Sequence, residues 1–176
     1  VYVRKGYQIP EAGRSARGTN IVNILPLEPE EKISAMLRGK GLQEDDFIMF
    51  FTKNGVTKRM SQLELRNVRK NGIRALDIRE GDELVQALTT HGSEKLLVVT
   101  RGGMAIRLKD GDEVVAAVRA TDEDAAVLTV TENGYGKRTR IGEYSVQNRG
   151  GQGLKTYQIT QKTGEIVGAK KVTGEE

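Results

Sequence analysis

Apolar and polar positions along the chain alternate in short runs, and no helical period lasts longer than a turn or two. Three segments superimpose without gaps: FFTKNGVTKRM from Phe50, VVTRGGMAIRL from Val98 and TVTENGYGKRT from Thr129. Each reads as apolar β-formers, a tight glycine turn at Gly55, Gly103 or Gly134, and a second extended run, which predicts three β-hairpins. A threonine stands three residues before each glycine (Thr52, Thr100, Thr131) and an arginine four residues after it (Arg59, Arg107, Arg138). A weaker copy, VYVRKGYQIP, puts Gly6 in register. The runs KISAML, ELVQAL and EVVAAV follow acidic turns and lead through a second polar turn into the next apolar strand, so a further strand of each repeat is expected there. On this pattern Ile33, Ala35 and Leu37 are core positions, and the one helix candidate is Ser61 to Val68.

The glycine spacings of 49, 48 and 31 residues are those of a blade-sized repeat with one short member. The repeats run approximately over 1–49, 50–97, 98–128 and 129–176, within a single domain covering 1–176. The fold class predicted is all-β, with four short antiparallel strands to a repeat. In the second repeat Arg59 and Ile78 are separated by 18 residues, whereas their counterparts Arg107 and Leu108 are adjacent. A deletion there would remove a strand from the middle of a blade. The expectation is therefore that about 18 residues of a loop are missing near 105–108.

A third element recurs downstream of the hairpin. AGRSARG ends at Gly18, RNVRKNG at Gly72 and QNRGGQG at Gly153, each with isoleucine six residues on (Ile24, Ile78, Ile159). The glycines call for a turn with positive φ. The arginines do not serve a turn; beside glycine, a guanidinium reaches a phosphate bidentately while the backbone N–H groups approach closely.

Charge sharpens this picture. The net charge is only +4, yet the windows 1–18, 53–74 and 134–155 hold 16 of the 28 basic residues and only three of the 24 acids, Glu11, Glu64 and Glu143. Segregation that recurs with the repeat builds a positive stripe suited to a polyanion. The candidates for phosphate contact are Arg14, Arg17, Lys58, Arg59, Arg66, Arg69, Lys70, Arg74, Lys137, Arg138, Arg140, Arg149 and Lys155.

Other chemistry finds little support. There is no cysteine and only one histidine, His91, so thiolate and histidine metal centres are excluded and no metal site is expected. No GxxxxGK[ST] loop is present to bind a nucleoside triphosphate. Asp110, Asp112 and Glu113 lie at a hairpin tip, as do Glu80, Asp82 and Glu83, and are expected to be solvated turns. No apolar run reaches the length of a membrane helix and no signal peptide is visible, so a cytoplasmic protein is expected.

The segments PEAGRSARGTNIVNILPLEPEEKI, TENGYGKRT and QNRGGQG, with the GDE turns, resemble the C-terminal domain of the DNA gyrase A subunit, from Val1 to about Val172. The resemblance implies a β-pinwheel: a propeller-like ring or spiral whose neighbouring blades exchange a strand and whose basic perimeter bends duplex DNA with right-handed sense. That family's hallmark box reads Gln-Arg-Arg-Gly-Gly-Arg/Lys-Gly. Here Gln147, Arg149, Gly150, Gly151 and Gly153 match it, while Asn148 and Gln152 replace two cations, so QNRGGQG is a degenerate copy. The resemblance further implies a non-catalytic part of an ATP-hydrolysing type II topoisomerase, with no cofactor in this domain and ATP and Mg used elsewhere. Its partners would be double-stranded DNA, the gyrase B subunit, and the N-terminal part of the A subunit, in an A2B2 holoenzyme of the bacterial, nucleoid-associated cytoplasm. The alternatives are the topoisomerase IV counterpart, which binds DNA without chiral wrapping, and a propeller-like protein-interaction scaffold.

Overall fold

A computed structural model of the chain describes residues 1–39, 46–92, 94–105, 112–146 and 153–174. Among these residues there is no α-helix; the ordered structure is ten strands and four short 3-10 turns. The strands are β1 (Phe47–Thr52), β2 (Thr57–Ser61), β3 (Leu84–Thr90), β4 (Leu96–Thr100), β5 (Met104–Ala105), β6 (Val114–Arg119), β7 (Ala126–Thr131), β8 (Gly136–Arg140), β9 (Leu154–Lys155) and β10 (Ile166–Val172).

They form three antiparallel sheets in the orders β2-β1-β3, β6-β4-β5-β9 and β10-β7-β8. Each sheet is a blade built on one of the hairpins read from the sequence. The turn glycines Gly55, Gly103 and Gly134 have φ of 82, 79 and 79°. Such values are open to glycine and costly for residues with a Cβ.

The threonine of each repeat now has a reason. Thr52, Thr100 and Thr131 are buried, and their hydroxyls accept the N–H groups of Val56, Met104 and Tyr135 at 3.0, 3.1 and 3.2 Å. Their carbonyls accept from the turn glycines. Threonine thus supplies a β-branched strand residue and the acceptor that closes the turn. The VYVRKGYQIP copy has Val3 at that position, and it makes no hairpin: Gly6–Gln8 is a 3-10 turn. Its register is corrected accordingly, for it is Val1 that takes the hairpin position, exchanging backbone hydrogen bonds with Ile73.

Alternation along the first strand of each hairpin fills the space between blades. In β1, Ile48 and Phe50 belong to a cluster with Met60, Ala75 and Val1. Phe51 and Met49 face the other way, onto Leu96, Val98 and Ala117 of the second blade. The second blade's opposite face gives Leu97 and Val99 to a third cluster with Val127, Ile141 and Ile166 of the last blade. The blades therefore stack face to face, each apolar strand feeding two interfaces.

The chain crosses between blades after the last hairpin. From β8 it runs to β9, which pairs not with its own blade but with β5 of the preceding one, and it returns in β10 to pair with β7. The Val1–Ile73 pairing repeats this exchange one blade earlier.

Two expectations are corrected. Residues 32–37 are not a strand, and Ile33, Ala35 and Leu37 are exposed. The equivalent strands β3, β6 and β10 each pair with the first strand of a hairpin, and no hairpin among the described residues is left to pair with 32–37. The helix candidate at Ser61 to Val68 shrinks to the 3-10 turn Gln62–Leu65, held by a capping box between Ser61 and Glu64. Asn67 and the run RKNG beyond it favour loop over helix.

Candidate nucleic-acid interface

Strands β3, β6 and β10 are the sheet edges that meet across blades, so β2, β5–β9 and β8 form the opposite, outer rim. On that rim the cation candidates gather. Lys58 and Arg59 lie on β2, Lys137, Arg138 and Arg140 on β8, and Lys155 on β9. Arg66, Arg69, Lys70 and Arg74 follow β2 on the loop that leads to the exchanged segment, while Arg14 and Arg17 lie on the loop ending at Gly18. All twelve side chains are exposed. Gln147, Arg149, Gly150 and Gly151 lie outside the described residues, as does Asp110; Gly153, the last position of the degenerate box, has φ of 72°.

Register explains why the rim is cationic. Arg59 and Arg138, each four residues after its turn glycine, sit opposite Met49 and Leu128 on the neighbouring strands. Among the described residues only Arg74 of the twelve is held in an ion pair, with Asp77 at 3.6 Å, and both partners are well exposed. Two others are positioned by aromatic rings: Arg59 lies 4.6 Å from the Phe47 centroid, and Lys137 lies 5.4 Å from that of Tyr157. Such contacts steady a cation without neutralising it.

Sequence reasoning missed one candidate of the same kind, Lys162, which stands 5.9 Å from the ring of the exposed Tyr135 on the neighbouring turn. Its signal was the pairing of a basic turn with an aromatic turn in a different segment, which only the β7–β10 register brings together.

Other cations have structural partners instead. Arg4 donates to the carbonyls of Ile24 and Lys70. Lys53 Nζ is 2.9 Å from Glu113, and Arg101 lies between Glu113 at 3.2 Å and Glu165 at 3.6 Å. Both cations fall two residues before a turn glycine; the Lys53–Glu113 and Arg101–Glu165 pairs run from one blade to the next, while Arg101–Glu113 lies within the second blade. The contacts to Glu113, a hydrogen bond first and its charge second, raise the Lys53 ammonium above the ordinary lysine value.

The acidic turns were expected to be merely solvated, and here too the structure differs. Asp112 accepts from the Thr100 hydroxyl and from the Gly102 and Glu113 N–H groups at 2.6, 2.7 and 2.8 Å. Asp82 accepts from the Asn54 and Glu83 N–H groups, both at 2.9 Å. Partial burial works against the Asp82 carboxylate, but hydrogen bonds from Asn54, Thr52 and Glu83 outweigh it and the net shift is downward. These carboxylates tie the hairpin turn to the third strand of its own blade. Among the described residues no group of three or more His, Asp or Glu side chains is arranged to hold a metal ion. His91 Nδ1 lies 2.6 Å from Asp46. No helix among the described residues is long and apolar enough to cross a membrane.

A set of face-stacked antiparallel blades that exchange strands defines a propeller-like domain, here with most of its rim cations outside any ion pair among the described residues. The comparisons with known proteins name its kin. The family described as "DNA gyrase C-terminal domain, beta-propeller" matches at residues 1–40, 46–91, 94–109, 98–121 and 125–173, and the chain belongs to that family. It is 40% identical over 198 positions to the DNA gyrase A subunit of Staphylococcus epidermidis and 41% identical over 201 positions to that of Staphylococcus aureus; in both, all of this chain matches 22% of the relative. The chain thus spans less than a quarter of those relatives' length. The fold is also that of the solved C-terminal domain of DNA topoisomerase IV, with a TM-score of 0.82 and 20% identity over 95% of this chain and 58% of that one. A solved DNA gyrase A C-terminal domain matches with a TM-score of 0.76 and 24% identity, over 90% of this chain and 59% of that one.

Proposed function

We propose that this domain wraps duplex DNA around its outer rim and bends it with right-handed sense, so that strand passage by the rest of the enzyme introduces negative supercoils. The observation that carries this reading is the row of exposed cations, almost none of them neutralised, on β2, β8 and β9. Lys58, Arg59, Lys137, Arg138, Arg140 and Lys155 contact phosphates, joined by Arg14, Arg17, Arg66, Arg69, Lys70 and Arg74 on the adjoining loops and by Arg149. No base readout is expected, because a wrap that accepts many sequences depends on backbone contact and on DNA deformability. The domain itself is non-catalytic and needs no cofactor. It works in a bacterial cytoplasm, at the nucleoid, with the gyrase B subunit, and with the N-terminal part of the A subunit, in an A2B2 holoenzyme where ATP and Mg are used.

The second reading is DNA binding without chiral wrapping, as in the topoisomerase IV counterpart. It is favoured by Asn148 and Gln152, which stand where the gyrase box carries cations. Plasmid topology separates the two. A nicked plasmid resealed in the presence of the domain should trap positive writhe; binding with no trapped writhe would reject the wrapping model and leave the second.

A further inference from the structure

The segment Val1–Arg4 lies between two of the Arg/Gly loops, AGRSARG ending at Gly18 and RNVRKNG ending at Gly72. On one side it meets the second loop. Ile73 N–H donates to the Val1 carbonyl at 3.0 Å, and Gly72 backs onto that carbonyl and the Tyr2 ring so closely that a Cβ there would come within 2.8 and 3.0 Å of them. On the other side it meets the chain returning from the first loop. There the Tyr2 hydroxyl donates to the Glu31 carboxylate at 2.7 Å and lies 3.2 Å from the Pro26 carbonyl.

Arg4 touches both sides at once. Its Nε donates to the Ile24 carbonyl at 3.3 Å and its Nη2 to the Lys70 carbonyl at 3.1 Å, while Nη1 turns back to the Val3 carbonyl at 2.8 Å. Ile24 lies six residues after Gly18 and Lys70 two before Gly72, so one guanidinium spans two cationic loops. All three acceptors are backbone carbonyls. A planar fork with donors in fixed directions holds two such acceptors at a set angle; a lysine ammonium, a single point on a flexible stem, does not. Nor does the blade repeat call for arginine at this position. With Val1 in the register of Thr57 and Gly136, Arg4 stands where β2 has the buried Met60 and β8 has Thr139.

We propose that Arg4 is a positioning residue: its guanidinium braces the loop of Arg14 and Arg17 against the loop of Arg66, Arg69 and Lys70, so that both reach the phosphates of one duplex in register. Phosphates are regularly spaced, and a loop held out of step with its neighbour forfeits its contacts. The consequence for DNA rests on the reading of the rim as a phosphate-binding surface, whereas the brace itself exists without DNA.

The brace is measured first, in the absence of DNA. The chain has no cysteine, so Ser15→Cys and Asn67→Cys place one spin label on each loop. The distance distribution between the labels should be narrow in the parent and broad in Arg4→Lys. An equally narrow, unshifted distribution in Arg4→Lys overturns the proposal.

DNA titrations over a range of salt, on the cysteine-free chain, then read the consequence. Arg4→Lys keeps the charge and Arg4→Met removes it. Both should weaken binding about tenfold and lower the log–log salt slope by about 1.8, the share of the two phosphates given to Arg14 and Arg17 at roughly 0.9 each. If Arg4→Lys matches the parent while Arg4→Met loses about 0.9, Arg4 is itself a phosphate contact and the positioning role is rejected. Amide exchange along the β4–β6 ladder should be the same in parent and variants; faster exchange there in both variants makes the effect a loss of fold and also rejects it. A parent whose binding does not respond to salt rejects the phosphate reading of the rim, while the label distances still decide the brace.

Discussion

Lys53 and Glu113 meet at 2.9 Å across the boundary between the first and second blades. The same two strand ends are joined by a backbone hydrogen bond from Val114 N–H to the Lys53 carbonyl at 2.9 Å. One blade on, Ile166 N–H donates to the Arg101 carbonyl at 3.0 Å and Arg101 pairs with Glu165. Each blade is thus hinged to the next by a main-chain bond with an ion pair beside it, and the Glu113 carboxylate that meets Lys53 across the first joint also holds Arg101 within its own blade.

Glu113→Gln keeps the shape and removes the charge that Lys53 and Arg101 share. It is expected to lower Tm by a few degrees, on the scale of about 2–4 °C per kcal/mol for a domain of this size, and to leave DNA affinity unchanged. Thermal unfolding of Glu113→Gln, Lys53→Met and the double variant should be non-additive, as contacting residues are. Strict additivity would show that the pair is not coupled.

Alkaline pH should reveal the same contact. The Lys53 ammonium is raised above its ordinary 10.5 by Glu113, so its stabilisation is complete below that pH and is lost as pH climbs through the higher folded value. Above about pH 10.5 the parent should lose more stability than Glu113→Gln does, and unfolding midpoints at pH 9 and pH 11.5 measure the difference.

Acid acts through Asp82. Its folded value lies below the ordinary 3.8, so its contribution is present above pH 3.8 and fades as pH falls through the lower folded value. Asp82→Asn should be less stable than the parent at pH 6 and nearly equal to it at pH 2. A stability gap that persists at pH 2 would point to shape, and not charge, as the cause.

Thr100→Val probes the turn that the repeat depends on. Thr100 is completely buried, and its hydroxyl joins Met104 N–H to the Asp112 carboxylate. Valine keeps the volume but leaves that N–H without a partner, a loss of about 1–3 kcal/mol, readable in a urea titration.

On the rim, Lys137, Arg138 and Arg140 changed together to alanine should weaken DNA binding and flatten its salt dependence by about 0.9 in log–log slope for each phosphate no longer neutralised. Stability should change little, since these side chains are exposed and only Lys137 has an aromatic partner. For the parent, contact with about 6–10 phosphates corresponds to an affinity loss of roughly 10³–10⁵ between 50 and 200 mM salt. Binding that does not respond to salt would exclude the phosphate-contact reading.

The sequence alone determined the hairpins, because Thr-x-x-Gly with flanking β-formers is local chemistry: the donor, the acceptor and the residue able to hold positive φ all lie within five positions. It determined the Arg/Gly loops and the excess of cations for the same reason. Only the tertiary structure decided which cations face solvent on the rim and which, like Lys53 and Arg101, spend their charge on a carboxylate of the next blade. It also decided that Gly6 is not a turn glycine, that Ile33 and Leu37 lie uncovered, and that β9 pairs with a blade its own hairpin does not belong to. Those outcomes rest on partners dozens of residues away. An alternating apolar strand looks the same in sequence whether or not the hairpin that would bury it is present to pair with it.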